Sequence, residues 1–383
     1  MTRYRVALWV LLTGKLLGAW GLTWDIQWHL LIGRDTFWIP PHLMMYSGVT
    51  AGFLVAVLVL ALDTRDRRRG MRARARGMVT MLGLTSTRGI HLAAWGVALL
   101  LLAAPIDDLW HRLFGLDVTL WSPPHLLGLL GSAVNTIGTL LIAIEAYAPA
   151  SRARFAALLL GGGLLYGGVR VVLEPAWLTA YTHGGVAFHA FAMLASPLLP
   201  LALIPGTGLL DRRWAPLALV VVSLAASLIG EQIARVGFAI IQPEPVITEE
   251  IKKDPTSPIA LAAEIREKNR GSGPPWVVRL MLPLVAAAVL VVADMRRRPA
   301  AACIAYGVAM LALFGWSIGQ TPAFRPMAPS VAETLLAVMI TVVAALIGSG
   351  GGRWVAQNLQ PVASSLGAAA PPLAREGRVS PRV

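Results

Sequence analysis

Long apolar runs dominate this chain. Ten of them, at about 6–24, 42–62, 90–105, 125–148, 155–173, 183–204, 215–240, 276–293, 300–318 and 330–347, reach or approach the roughly 20 residues that cross a bilayer as helix. Within each run the apolar residues follow one another without the strict alternation of a half-buried strand. Short polar segments separate the runs. The pattern predicts an all-α fold, a polytopic integral membrane protein of about ten transmembrane helices arranged as successive hairpins. Composition agrees: 56% of residues are hydrophobic, 14% are charged and the mean hydropathy is +0.66. A soluble domain carries about a quarter charged residues.

Charge then orients the spans. The formal net charge is +13, and Lys and Arg gather at residues 3–5, 65–76, 152–154, 212–213 and 296–298, near the start and after even-numbered spans. Cytoplasmic segments carry such an excess. The rule predicts both termini in the cytoplasm and a multi-pass protein of the plasma or inner membrane. Topology thus accounts for the basic charge, and no nucleic-acid partner is expected. The expected partners are the lipid bilayer and either other membrane subunits or further copies in a homo-oligomer. Segments after odd-numbered spans then face outward. Gln242–Pro275 is the one long outer loop; its second part, S-P-I-A-L-A-A-E-I-R-E-K-N, suits a short amphipathic helix, and the loop is read as a lid, a docking surface or a plain connector. Residues 1–348 are read as one transmembrane helical domain. Residues 349–383, rich in Gly, Ala, Pro and Ser, are expected to form a disordered cytoplasmic tail. The basic start before an apolar run resembles a secretory leader. It has no small-x-small cleavage site and leads straight into Asp25, so an uncleaved first span is expected. The single cysteine, Cys303, cannot form an internal disulfide.

Polar chemistry concentrates between the first two spans, and it recurs. Residues 24–42 read W-D-I-Q-W-H-L-L-I-G-R-D-T-F-W-I-P-P-H, and residues 106–125 read I-D-D-L-W-H-R-L-F-G-L-D-V-T-L-W-S-P-P-H. Superposition places Asp107 on Asp25, Trp110 and His111 on Trp28 and His29, and Gly115 and Asp117 on Gly33 and Asp35. His125 then falls on His42 after one inserted residue. The internal repeat spans 6–62 and 89–148. An Asp and a His four apart share one helix face, and a Pro-Pro pair suits the start of the helix carrying the second His. Two imidazoles and a carboxylate can ligate a transition metal and leave positions open for water, oxygen or substrate. By ligand type iron(II), zinc and copper all fit. The candidate metal ligands are Asp25, His29 and His42, and Asp107, His111 and His125. The plainer reading makes them interfacial polar residues beside an aromatic belt of Trp20, Trp24, Trp28 and Trp38. Recurrence in the same order favours metal.

The first copy resembles the metal-site segment of the C subunit of particulate methane and ammonia monooxygenases, the copper membrane monooxygenases. That family carries Asp-x-x-Trp-His, four residues, Arg-Asp-Thr, three residues, Pro-x-His. The pattern stands here at Asp25, Trp28, His29, Arg34, Asp35, Thr36, Pro40 and His42 with unchanged spacing. The resemblance implies that Asp25, His29 and His42 hold copper, that Arg34 and Asp35 support them, and that the chain is a component of a copper-dependent monooxygenase. The second copy keeps Asp107, Trp110, His111, Asp117, Pro123 and His125, with Leu116 and Val118 where the family has Arg and Thr. The first set is therefore expected to bind metal more tightly. The match covers about 18 residues, or about 40 with the second copy, and the family's partner subunits are not in this chain.

Other polar residues receive plainer readings. Glu174, His183 and His189 could form a third site, but Arg170 and Glu174, four apart, more simply pair. Glu231 and Arg235 are expected to pair likewise. His91 is read as an interface residue, and Met44 and Met45 as packing. Lys15 stands inside the first span and is a functional candidate by default, or else reaches toward water or a carboxylate. The leading function is thus a membrane metal-binding protein with outward-facing Asp/His/His sites that support oxidation of a small substrate. The alternative is a carrier or chaperone for a metal ion or small solute, with Lys15 or Glu145 along its path.

Overall fold

The computed structural model describes residues 2–33, 36–71, 77–114 and 119–359. Helices α1 (Thr2–Leu31) and α2 (Pro40–Arg68) form a first hairpin, and α3 (Arg88–Phe114) and α4 (Pro123–Ala146) a second. A short antiparallel ribbon, β1 (Met78–Met81) and β2 (Leu84–Thr87), joins them. Helices α5 (Arg152–Val171) and α6 (Ala176–His183) together make one apolar stretch of 32 residues. The next span is broken: a 3-10 turn (Gly185–His189), then α7 (Ala190–Leu198) and α8 (Pro200–Leu210). Proline removes a backbone donor and crowds the preceding turn, and Pro197 and Pro200 flank this break. Helix α9 (Ala215–Ile241) precedes two short helices, α10 (Ile247–Lys253) and α11 (Pro258–Lys268). The last three helices are α12 (Trp276–Val292), α13 (Pro299–Gly319) and α14 (Val331–Asn358).

Among the described residues, nine helical stretches are long and apolar enough to cross a membrane, and α12, at 17 residues, is shorter. The protein is an all-α polytopic membrane protein. Three boundaries differ from the sequence reading. Helix α3 passes through Pro105 to Phe114, so Asp107 and His111 lie on it. The segment 174–183, expected as an outer loop, is mostly the helix α6. The loop 242–275 holds the short helix expected of its second part, α11, and a further one, α10. Helix α14 runs past Gly348 to Asn358, so the tail expected to be disordered from residue 349 begins as helix; residues 360–383 lie outside the described residues. The reason is packing: a side chain at Gly348 would stand 2.6 Å from the Ser196 carbonyl oxygen, and one at Gly352 would stand 2.5 Å from that of Pro200. Glycines that read as flexible let α14 lie against α7 and α8.

Lipid tails are as apolar as leucine, so helices in a bilayer associate through close packing of small residues. A Cβ at Gly14 would stand 2.5 Å from the Gly48 carbonyl oxygen, and one at Gly48 would meet the Gly14 oxygen. The second hairpin repeats this along Gly96, Gly131 and Gly138, whose added Cβ atoms would come within 3 Å of backbone on the facing helix.

The β-ribbon was not foreseen. It turns at Leu82 and Gly83, both with positive φ (51° and 77°), as a tight two-residue hairpin loop requires. Thr85 N donates to Thr64 Oγ1 at 2.9 Å, and His91 Nε2 donates to the Val79 carbonyl at 3.0 Å. His91 is thus buried as a tie between the ribbon and α3. Beneath the ribbon, the fully buried Asp63 accepts from Tyr4 and Ser86 and pairs with Arg3 at 2.7 Å. The ribbon binds the end of α2 to the start of α3, so both Asp/His/His sets lie at the opposite end of these helices.

Candidate metal centre

Each set is built from the last turns of one helix and the first turn of the next. Asp25 and His29 lie one turn apart near the end of α1, and His42 lies in the first turn of α2. Pro40 and Pro41 open α2 from an extended Ile39 (φ −66°, ψ 149°), and Pro123 and Pro124 open α4 from an extended Ser122 (φ −63°, ψ 148°). Asp107 and His111 near the end of α3 face His125 in the same way.

The distances suit a metal. In the first set Asp25 Oδ1 lies 3.1 Å from His42 Nε2, while His29 Nδ1, 3.6 Å from Oδ1, is the nitrogen tied to the Asp25 carbonyl. Asp107 Oδ1 lies 3.8 Å from His111 Nε2 and 3.4 Å from His125 Nε2. In the second set one ligand atom from each residue lies within 4.8 Å of the others, so this group could hold a metal ion. Two ligands each about 2.1 Å from a tetrahedral metal stand roughly 3.4 Å apart. The ring centroids are 6.4 Å apart in the first set and 6.3 Å in the second.

Backbone carbonyls set the tautomers. His42 Nδ1 lies 3.1 Å from the Thr36 oxygen, and His125 Nδ1 lies 2.9 Å from the Thr119 oxygen. A carbonyl oxygen only accepts, so each Nδ1 carries a proton and each Nε2 is turned toward the carboxylate. His29 Nδ1 is held likewise by the Asp25 carbonyl at 2.9 Å. At these distances Nε2 meets the carboxylate either as a protonated donor or across a shared cation. The buried Asp25 Oδ1 accepts no hydrogen bond. Both observations fit a cation site.

These threonines correct the alignment of the two copies. Counted back from the second histidine, both read T-x-W-x-P-P-H, with Thr36 and Thr119 six residues before it. The inserted residue therefore falls within 115–118, and Thr119 takes the place of Thr36, which Val118 had been assigned. Arg34, Asp35, Gly115, Leu116, Asp117 and Val118 lie outside the described residues. The shared Thr-x-Trp spacing was the signal that could have found the tautomer-setting carbonyls.

The two sets differ in what surrounds them. Around the first, Trp24 and Trp28 are buried with Ile32, Ile39 and Ala234, and Phe238 stacks on Trp28 at 5.8 Å. These tryptophans are core against α9, not an interfacial belt; Trp38 alone of the two residues flanking the loop tip is strongly exposed, beside the exposed Phe37. Met44 packs on the same cluster. The loop 242–275 caps the end of α1 next to this set: Val246 N donates to the Ile32 carbonyl at 2.8 Å, Arg266 to that of Leu30 at 3.2 Å, and Gly33 (φ +79°) sits against Ile247. Its far end is fixed by Tyr181 donating to Glu264 at 2.9 Å and by Ala323 N donating to Asn269 at 2.9 Å. Lys268 pairs with Glu264, which raises the lysine and lowers the carboxyl from their ordinary pKa values. Among the described residues the second set has no such cover, and the neighbouring Leu109, Leu113 and Phe114 are exposed. Gly33→Val forces a side chain into Ile247 at an unfavourable φ. It is expected to release the cap, read as faster proteolysis within residues 242–275 while the helical core stays intact.

The remaining candidates stand apart. Arg170 pairs with Glu174 at 2.9 Å, and His183 Nδ1 donates to the Thr179 carbonyl at 3.2 Å. His189 is buried in the 3-10 turn, and neither of its nitrogens has a hydrogen-bond partner among the described residues. The expected Glu231–Arg235 pair is not formed among the described residues. Lys15 donates to the Ser132 carbonyl at 2.9 Å, and Glu145 accepts from Gly89 N at 3.1 Å. Comparison with protein families, curated proteins and solved structures finds no match.

Proposed function

We propose that this chain is a membrane copper protein of the monooxygenase C-subunit type, with two related Asp/His/His sites facing outward. One observation carries the reading. In both copies a backbone carbonyl holds the second histidine's Nδ1–H and turns Nε2 toward the aspartate. Histidines that ligate metals are oriented in this way. Copper at such a site would supply the oxygen-activating chemistry. The chain's own residues orient the imidazoles, offset the ion's charge with one carboxylate and, at the first site, leave the ligands less open to water. The carrier reading draws less support, because Lys15 and Glu145 are engaged as ties between helices.

The test is the metal content of protein isolated from its own membrane. Copper(II) prevails over most first-row ions in any competition in vitro, so loading after purification does not discriminate. The expected result is copper near two equivalents, with imidazole-nitrogen couplings in its electron paramagnetic resonance, diminished in His42→Ala. Zinc at the same stoichiometry would sink the copper assignment, and no metal at all would sink the site. Sidedness is tested separately. Gly70→Cys is expected to be labelled only from the cytoplasmic side and Gly271→Cys only from outside. Outside labelling at position 70 would invert the topology.

A further inference from the structure

A second polar site lies within the helical bundle, away from both Asp/His/His sets. Helices α5, α7, α9, α12 and α13 enclose a cavity of about 180 Å³. That volume holds on the order of six waters. Its walls are largely apolar, with Phe191, Leu228, Met310 and Phe314 among them, yet Arg170, Glu231 and Arg279 also line it. Ionisable side chains among membrane helices are costly and mark functional sites by default.

The charges are arranged in a particular way. Arg170 is neutralised by Glu174, while its buried Nε has no hydrogen-bond partner. Glu231 and Arg279 line the same cavity, and neither side chain forms an ion pair or hydrogen bond among the described residues. Opposite charges thus face one space without meeting. The site as a whole is electroneutral, with a guanidinium at one side and a carboxylate at the other, which suits a zwitterion better than a simple anion. The mouth opens toward lipid. Arg279 is exposed one turn from the start of α12, next to the exposed Trp276, Val277 and Met281. Tryptophan and arginine at a helix start mark head-group depth.

We propose that this cavity binds a zwitterionic phospholipid head group. Arg279 and Arg170 Nε take the phosphate and Glu231 takes the primary ammonium, with the acyl chains lying along the outer face of α12. The experiment uses the full chain reconstituted with an equimolar mixture of phosphatidylethanolamine and phosphatidylglycerol, re-extracted in mild detergent, with retained lipid counted by mass spectrometry. The wild type is expected to retain phosphatidylethanolamine at least tenfold over phosphatidylglycerol. Glu231→Gln is expected to abolish that preference while keeping lipid bound, and Arg279→Gln to lose both lipids. Leu228→Trp fills the cavity without altering charge and is expected to prevent retention; unchanged gel-filtration profiles and helical content show that each variant folds. Equal retention of the two lipids by the wild type, or wild-type selectivity in Glu231→Gln, would overturn the proposal. So would displacement of the lipid by free phosphoethanolamine at similar concentration, which would make the ligand a solute.

Discussion

At limiting copper, His42→Ala protein is expected to lose most of the bound metal, whereas His125→Ala keeps most of it. Alteration of a partner that merely supports a ligand changes affinity about 10–100-fold, and removal of a ligand costs at least as much. The ranking rests on environment. In the first set the Asp25 and His42 side chains are each 14% exposed, while Asp107 and His125 are 28% and 29% exposed. The first set is thus less open to water than the second, and less water strengthens every ion–ligand contact. Of the differences that suggest this order, loss of Arg and Thr and one added residue, the threonine is in fact retained and the addition leaves the imidazoles in place. Thr119 replaces Thr36, and the imidazole separations differ by only 0.1 Å (6.4 and 6.3 Å). Metal analysis of both variants at one metal per protein decides the matter. Equal losses would make the sites equivalent, and the reverse order would place the tight site in the second copy.

Gly48→Val is expected to separate α1 from α2 and to empty the first site alone. The new side chain would meet the Gly14 carbonyl oxygen and Leu17 Cβ, the latter at 3.3 Å. Overpacking costs about 1–3 kcal/mol where side chains can move; here backbone faces backbone, so a cost at or above the top of that range is expected. Gly96→Val should act in the same way on the second hairpin, since its Cβ would contact Asn135 N. The control is Gly168→Ala, at a helical glycine with nothing within 4 Å of the added Cβ. Thermal unfolding in detergent should fall by several degrees for the two valines and remain unchanged for the control. Each valine should remove metal from its own hairpin only. Loss of both metals from either variant would mean that the hairpins share one cooperative unit.

The spans were legible because each is a continuous apolar run, and a bilayer permits little but helix for such runs. The Asp25–His29 and Asp107–His111 spacings likewise dictate a shared helix face whatever surrounds them. What was not legible depends on distant partners. Nothing local in Trp24 and Trp28 distinguishes an interfacial belt from a core; Phe238 and Ala234 on α9 make them core. Residues 242–275 look like a connector until Ile32 and Leu30 offer carbonyls to it. Glu231 and Arg235 have the spacing of an ion pair, yet α9 turns Glu231 toward the α12 side. The β-ribbon had a local signal in M-V-T-M-L-G-L-T-S-T, where Leu-Gly separates two threonine-bearing stretches, but the adjacent block of arginines masked it.

The buried Asp63 bears on how the chain enters the membrane. Its partners come from the start of α1 through Arg3 and Tyr4 and from the ribbon before α3 through Ser86. All of these segments must arrive on one side of the bilayer for the carboxylate to be satisfied. A chain whose first span inserts backwards would leave Asp63 without Arg3, and stranding one partner of a buried pair costs about 3–5 kcal/mol. This carboxylate therefore couples the placement of the first span to that of α2 and the ribbon, so the end of the first four spans closes only when all three arrive together.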